Sequence, residues 1–155
     1  MVYSNVCEPM EVETLGGSRY FVSFIDDVSR KVWVYFLKSK DQVFHYFKMF
    51  HAMVERSTGK PLKCLCSDNR GEYTSHEFKS YCFEHDIRHE KTVLGTPQHN
   101  GVAERINRAI MDKVRCTMKT VKLPKPFWGE AIQTTCNLIN ISPSVPLSFD
   151  SPERV

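Results

Sequence analysis

RYFVSFIDDVSRKVWVYFLK, residues 19–38, holds two β-rich runs split by a short polar break. RYFVSFIDD (19–27) and KVWVYFLK (31–38) are dense in β-branched and aromatic residues, and VSR between them is short and polar. They predict two antiparallel strands, the first apolar enough to be central. Working outward, VYSNVC at about 2–7 predicts a preceding strand, turning through LGGS. Apolar residues at 43, 44, 47, 50 and 54 recur at helical spacing in DQVFHYFKMFHAMVERSTG (41–59), closed by Gly59 and Pro61. LKCLCS (62–67) then reads as a fourth strand, reached by a helix crossover and so parallel to the first. HEFKSYCFEHD predicts a short helix and IRHEKTV a fifth strand. LGTPQHNG reads as a polar loop, followed by a long helix to about residue 120. FWGEAIQTTCNLINI (127–141) is a last helix between Pro126 and Pro143. The whole predicts a mixed-sheet α/β domain.

At 155 residues the chain is one domain, 1–155, with no internal repeat or low-complexity linker. Its net charge of +3 permits nucleic-acid binding through a local patch without requiring it. No run approaches the roughly 18–20 apolar residues of a membrane helix. MVYSNVCEPMEVE lacks the basic and apolar regions of a signal peptide. Six scattered cysteines fit reduced thiols in an intracellular protein better than a disulfide framework. Cys82-x2-His85-x3-His89, with Cys64 and Cys66 upstream, departs from the usual paired spacing, so zinc is disfavoured. Cys82 is expected on a packed helix face, with His85 and His89 in solvent.

In CLCSDNRGEYTS (64–75) an apolar strand ends abruptly on Asp68. Two readings stand at this point: ordinary turn chemistry, or a fixed negative charge held at a strand end. On the long helix, Val102, Ile106, Ala109, Ile110, Lys113, Val114, Thr117 and Val121 are expected on one mainly apolar face. Glu104 lies about 140° from its centre, beside Arg108, Arg115 and Lys119. It is either half of a surface pair with Arg108 or a carboxylate among phosphate-seeking cations. Phe127 and Trp128 read as core.

SDNRGEY, TPQHNGVAERINR, GGSRYFVSFIDDVSRKVWVYFLK and PKPFWGEAI, in that spacing, resemble the integrase catalytic core of copia-type retrotransposons over nearly the whole chain. The resemblance implies a ribonuclease H-like fold, a mixed five-stranded sheet flanked by helices. It also implies a carboxylate triad whose last two members are Asp68 and Glu104, with 35 residues between them. Such a triad holds two Mg²⁺ or Mn²⁺ ions for phosphodiester cleavage and strand transfer. The first member falls on Asn5, in Ser4-Asn5-Val6-Cys7-Glu8-Pro9, where the family reads S-D-x-C-G-P. Glu8 and Arg70 replace family glycines. An amide cannot bridge two cations as a carboxylate does, so one weak ion site and impaired catalysis are expected. Asp26 and Asp27 are the candidate substitutes for the missing charge.

The resemblance further assigns DNA-facing positions to Asn69, Gln98, His99, Asn100, Asn107 and Arg108, with Gln98 to Gly101 in a flexible active-site loop. Arg115 and Lys119 extend the basic face. The implied partners are element-end and target DNA and a second copy of the chain, in the nucleus. The 155 residues hold no counterpart of the family's upstream zinc-binding and downstream DNA-binding regions, and an element fragment or a decayed copy is the expectation. Two alternatives remain: a non-catalytic nucleic-acid-binding remnant, and a metal-dependent nuclease of the same fold.

Overall fold

Five strands form one sheet in the order β3-β2-β1-β4-β5. They are β1 (Val2–Val6), β2 (Tyr20–Asp26), β3 (Val32–Leu37), β4 (Cys64–Ser67) and β5 (Arg88–Lys91). The computed structural model describes residues 1–68, 71–91 and 97–154, the side chains of 97–100 and 145 aside. β1, β2 and β3 pair antiparallel, whereas β1–β4 and β4–β5 are parallel. β2 is interior as expected, but the middle strand is β1. The helix α1 (Val43–Thr58) carries the chain from edge strand β3 across to the open side of β1, so β1 is flanked on both sides.

Strand alternation divides the core between the two faces. Val22 and Phe24 meet α1 and α2 (His76–Glu84), where the Phe24 ring stacks on Phe50 at 4.3 Å. Phe47, Tyr73 and Phe78 complete that aromatic layer, all 0% exposed. Phe21 and Ile25 point the other way, onto α3 (Pro97–Thr120) and α4 (Trp128–Ile141). Each fully buried large side chain contributes about 1.5–3 kcal/mol. Gly59 ends α1 at φ 63°, the left-handed conformation in which a side chain would be strained. Ser75 caps α2 by accepting from the Phe78 N–H at 3.1 Å.

The helix α4 is fastened at both ends. The Trp128 indole N–H donates to the Val12 carbonyl at 2.8 Å. The buried Asn140 amide both accepts from the Val32 N–H and donates to the Val32 carbonyl, each at 2.8 Å. It occupies a ladder position on the outer edge of β3.

Two expectations about α3 are corrected. The helix begins at Pro97, so Gln98, His99, Asn100 and Gly101 have helical backbone rather than forming a loop. Proline is suited to a first helical turn, where its missing N–H costs nothing. The buried stripe is Ala103, Asn107, Ile110 and Val114, rotated by roughly 60° from the expected face at 100° per residue. Ala109, Lys113, Thr117 and Val121 are exposed instead. Packing against the sheet and α4 selects the small Ala103 for closest approach, which apolar counting passes over.

Candidate functional site

Strands β1 and β4 run side by side, and their last registered pair is Ser4↔Ser67. The next residues are Asn5 and Asp68, both half-buried. Tyr3 and Cys66 belong to the core beneath α3, and a period of two assigns positions 5 and 68 to the same side. The helix α3 packs on both β1 and β4. Glu104, in its second turn, follows the buried Ala103 directly and is exposed. Three elements in mutual contact thus contribute one amide and two carboxylates, all hard oxygen donors. Among the described residues, no group of three or more His, Cys, Asp or Glu is placed to hold a metal ion.

Asp26 and Asp27 cannot stand in for that member. Asp26 pairs with Val2, whereas Asn5 pairs with Ser23, so Asp26 lies three residues, about 10 Å, along the sheet from Asn5. Both carboxylates are committed there. Asp26 accepts from the backbone N–H and hydroxyl of Ser29 at 2.8 and 2.9 Å, and Asp27 pairs with Arg30 at 3.3 Å.

Asn107 is also misplaced by the sequence reading. It was expected to face DNA, yet it is 7% exposed, on the buried stripe four residues after Ala103. Neither polar atom of its amide has a hydrogen-bond partner among the described residues. Arg108, Arg115 and Lys119 are exposed as expected, with Arg115 3.3 Å from Asp112. Asn69 lies outside the described residues, as do the side chains of Gln98, His99 and Asn100.

The cysteines and histidines take unrelated positions. All six cysteines are free. Cys82 is buried and burial pushes its thiol up to about 11, while the His85 ring lies against Tyr81 at 4.2 Å. His89 is half-buried rather than fully solvated as expected. Its Nε2 lies 2.8 Å from Ser67 Oγ, and its ring packs on Phe78 at 5.3 Å.

Burial, with Lys91 and Lys79 nearby, brings the His89 imidazole down to about 4. The folded protein therefore holds His89 neutral, while the unfolded chain takes up a proton below about 6.5. This contribution to stability is complete above pH 6.5 and is lost as pH falls towards 4. Urea midpoints measured across that window should fall with acidity, and His89→Gln should flatten the fall.

A family model described as Integrase core domain matches residues 5–97. The chain is 68% identical over all 155 residues to the Retrovirus-related Pol polyprotein from transposon TNT 1-94 of Nicotiana tabacum. It is 33% identical over 151 residues to that from transposon RE2 of Arabidopsis thaliana. It spans 12% and 10% of the length of those two polyproteins. Among solved structures, the HTLV-2 integrase catalytic core domain in complex with magnesium (trimeric form) aligns at TM-score 0.70 and 19% identity, covering 99% of this chain and 93% of that one. A chain of the simian T-cell lymphotropic virus intasome in complex with PP2A regulatory subunit B56 gamma aligns at TM-score 0.74 and 17% identity, covering 99% of this chain and 52% of that one. Sheet order, helix placement and these matches agree: the fold is ribonuclease H-like, and the chain belongs to the integrase core domain family, in its copia-type retrotransposon branch.

Proposed function

We propose that this domain binds DNA as the catalytic core of an integrase and that its chemistry, 3′-end processing and strand transfer, is impaired at Asn5. What supports the reading is that Asn5 and Asp68 follow the last registered pair of β1 and β4 on the side covered by α3, the helix that bears Glu104. The donor set fits Mg²⁺ or Mn²⁺, which favour hard oxygen ligands. Asp68 and Glu104 would supply the charge and Asn5 a neutral carbonyl oxygen. When bound, divalent ions activate a water or 3′-hydroxyl and stabilise the leaving oxygen. Two dications bring four positive charges against two carboxylates, so a single weakly held ion is the expected occupancy. Loss of one preorganised electrostatic group at a reacting centre costs on the order of 10²–10³ in rate.

Arg108, Arg115 and Lys119 lie on the exposed side of the helix that bears Glu104, where they would meet phosphates of element-end or target DNA. Self-association and action in the nucleus follow from the same reading. Anisotropy titrations with duplex DNA should show weak binding, independent of sequence, that falls with salt. Removing all three cations should lower the log–log salt slope by roughly 2.7, and an unchanged slope removes this face from the account. Asn5 favours one second reading, a DNA-binding domain without chemistry. A Mn²⁺-dependent disintegration assay decides between the two.

A further inference from the structure

We infer that Tyr73 and His89 are positioning residues for the corner formed by Asn5 and Asp68, acting from the far side of the sheet through the buried hydroxyls of Ser4 and Ser67. The inference rests on the reading of that corner as a metal site. Ser4 and Ser67 are the last registered pair of β1 and β4, and both are 0% exposed. Among the described residues the β1–β4 ladder ends there, and Asn5 stays paired with Ser23 of β2, so side-chain contacts are what link the two strand ends further on.

The buried side chains provide such contacts. Tyr73 closes the single-turn helix Gly71–Tyr73, shortly after Asp68 in the chain. Its phenol oxygen lies 2.6 Å from Ser4 Oγ, next in sequence to Asn5. Ser67 Oγ donates to the Asp68 carbonyl at 3.0 Å and lies 2.8 Å from His89 Nε2. The Asp68 backbone is thereby tied to His89 through Ser67, and Ser4, just before Asn5, is tied to Tyr73. Burial alone does not require these hydroxyls. The Tyr73 ring packs edge-on to Phe78 at 5.5 Å, and a phenylalanine over two alanines would fill the same apolar space.

The test uses the Asn5→Asp chain, titrated with Mn²⁺ alone by calorimetry, beside thermal unfolding. Tyr73→Phe should raise the apparent Kd for Mn²⁺ about tenfold, as loss of an orienting partner commonly does. Adding Ser4→Ala removes the other member of the pair and leaves no orphaned hydroxyl. Stability should then recover while Mn²⁺ affinity stays weakened. His89→Phe should weaken Mn²⁺ binding as well, and His89→Gln, which keeps an N–H donor, should stay near the parent. If Kd simply follows Tm across the series, or the double variant binds as tightly as the parent, Tyr73 and His89 serve the core alone and the inference is overturned. If the Asn5→Asp chain takes up no Mn²⁺ at all, the metal reading itself fails and this inference falls with it.

Discussion

Titrated with Mn²⁺, the Asn5→Asp chain is expected to bind about 10–100-fold more tightly than the chain as it stands, or to show a second ion. That range corresponds to about 1.4–2.8 kcal/mol, below the roughly 4 kcal/mol of two unit charges 4 Å apart at an effective dielectric of 20. The substitution is nearly isosteric and falls at a half-buried strand position, so the fold should tolerate it. Nicking or strand-transfer activity should rise with the metal. It should remain modest, because Glu8 and Arg70 also depart from the family pattern. Equal cleavage rates for the two chains would sink the idea of a damaged site. Asp26 and Asp27 would offer no rescue for the idea, since Asp26 is engaged about 10 Å along the sheet and Asp27 one residue beyond it.

Asn140→Ala should produce a large loss of stability from a position away from the site. The Asn140 amide satisfies both polar groups of Val32 at 2.8 Å, with Val32 2% and Asn140 8% exposed. Alanine leaves a buried N–H and a buried carbonyl without that partner, each costing about 1–3 kcal/mol. A total near 3 kcal/mol lowers Tm by roughly 6–12 °C in a domain of this size. The exposed Asn137, three residues earlier on the same helix, is the control and should cost about 0.5 kcal/mol or less on substitution by alanine. Comparable melting temperatures for the two variants would show that water replaces the amide at the β3 edge.

The strands and helices were readable because local signals agreed: β-branched and aromatic residues in YFVSFID, helical spacing after Asp41, and Gly59, Pro61, Pro126 and Pro143 at helix boundaries. Asp68 at the end of a strand parallel to the first was readable for the same reason. The rotation of α3 was not. Its apolar residues spread over nearly half the helix circumference, so the buried direction depends on which neighbour packs closest, and Ala103 and Asn107 carry little hydrophobic signal. The Ser4–Tyr73 pair was equally hidden, because it joins residues 69 apart and neither has a local motif. His89 looked solvated from its polar neighbours. Its burial comes from Phe78, on a different element.

The strict alternation of β1 and β4 has a genetic corollary. At the strand ends, adjacent codons serve opposite sides: Ser4 and Ser67 face the aromatic layer, while positions 5 and 68 fall on the other side, where the proposed chemistry would sit. A point substitution such as aspartate to asparagine at position 5 alters the chemistry and spares the layer behind it. Inserting or deleting one codon within the strand would exchange the two sets, placing a serine at the rim and an amide among aromatic rings. Copies of such a domain that lose activity by substitution should therefore persist as folded proteins, and those that lose it by single-codon indels in β1 should not.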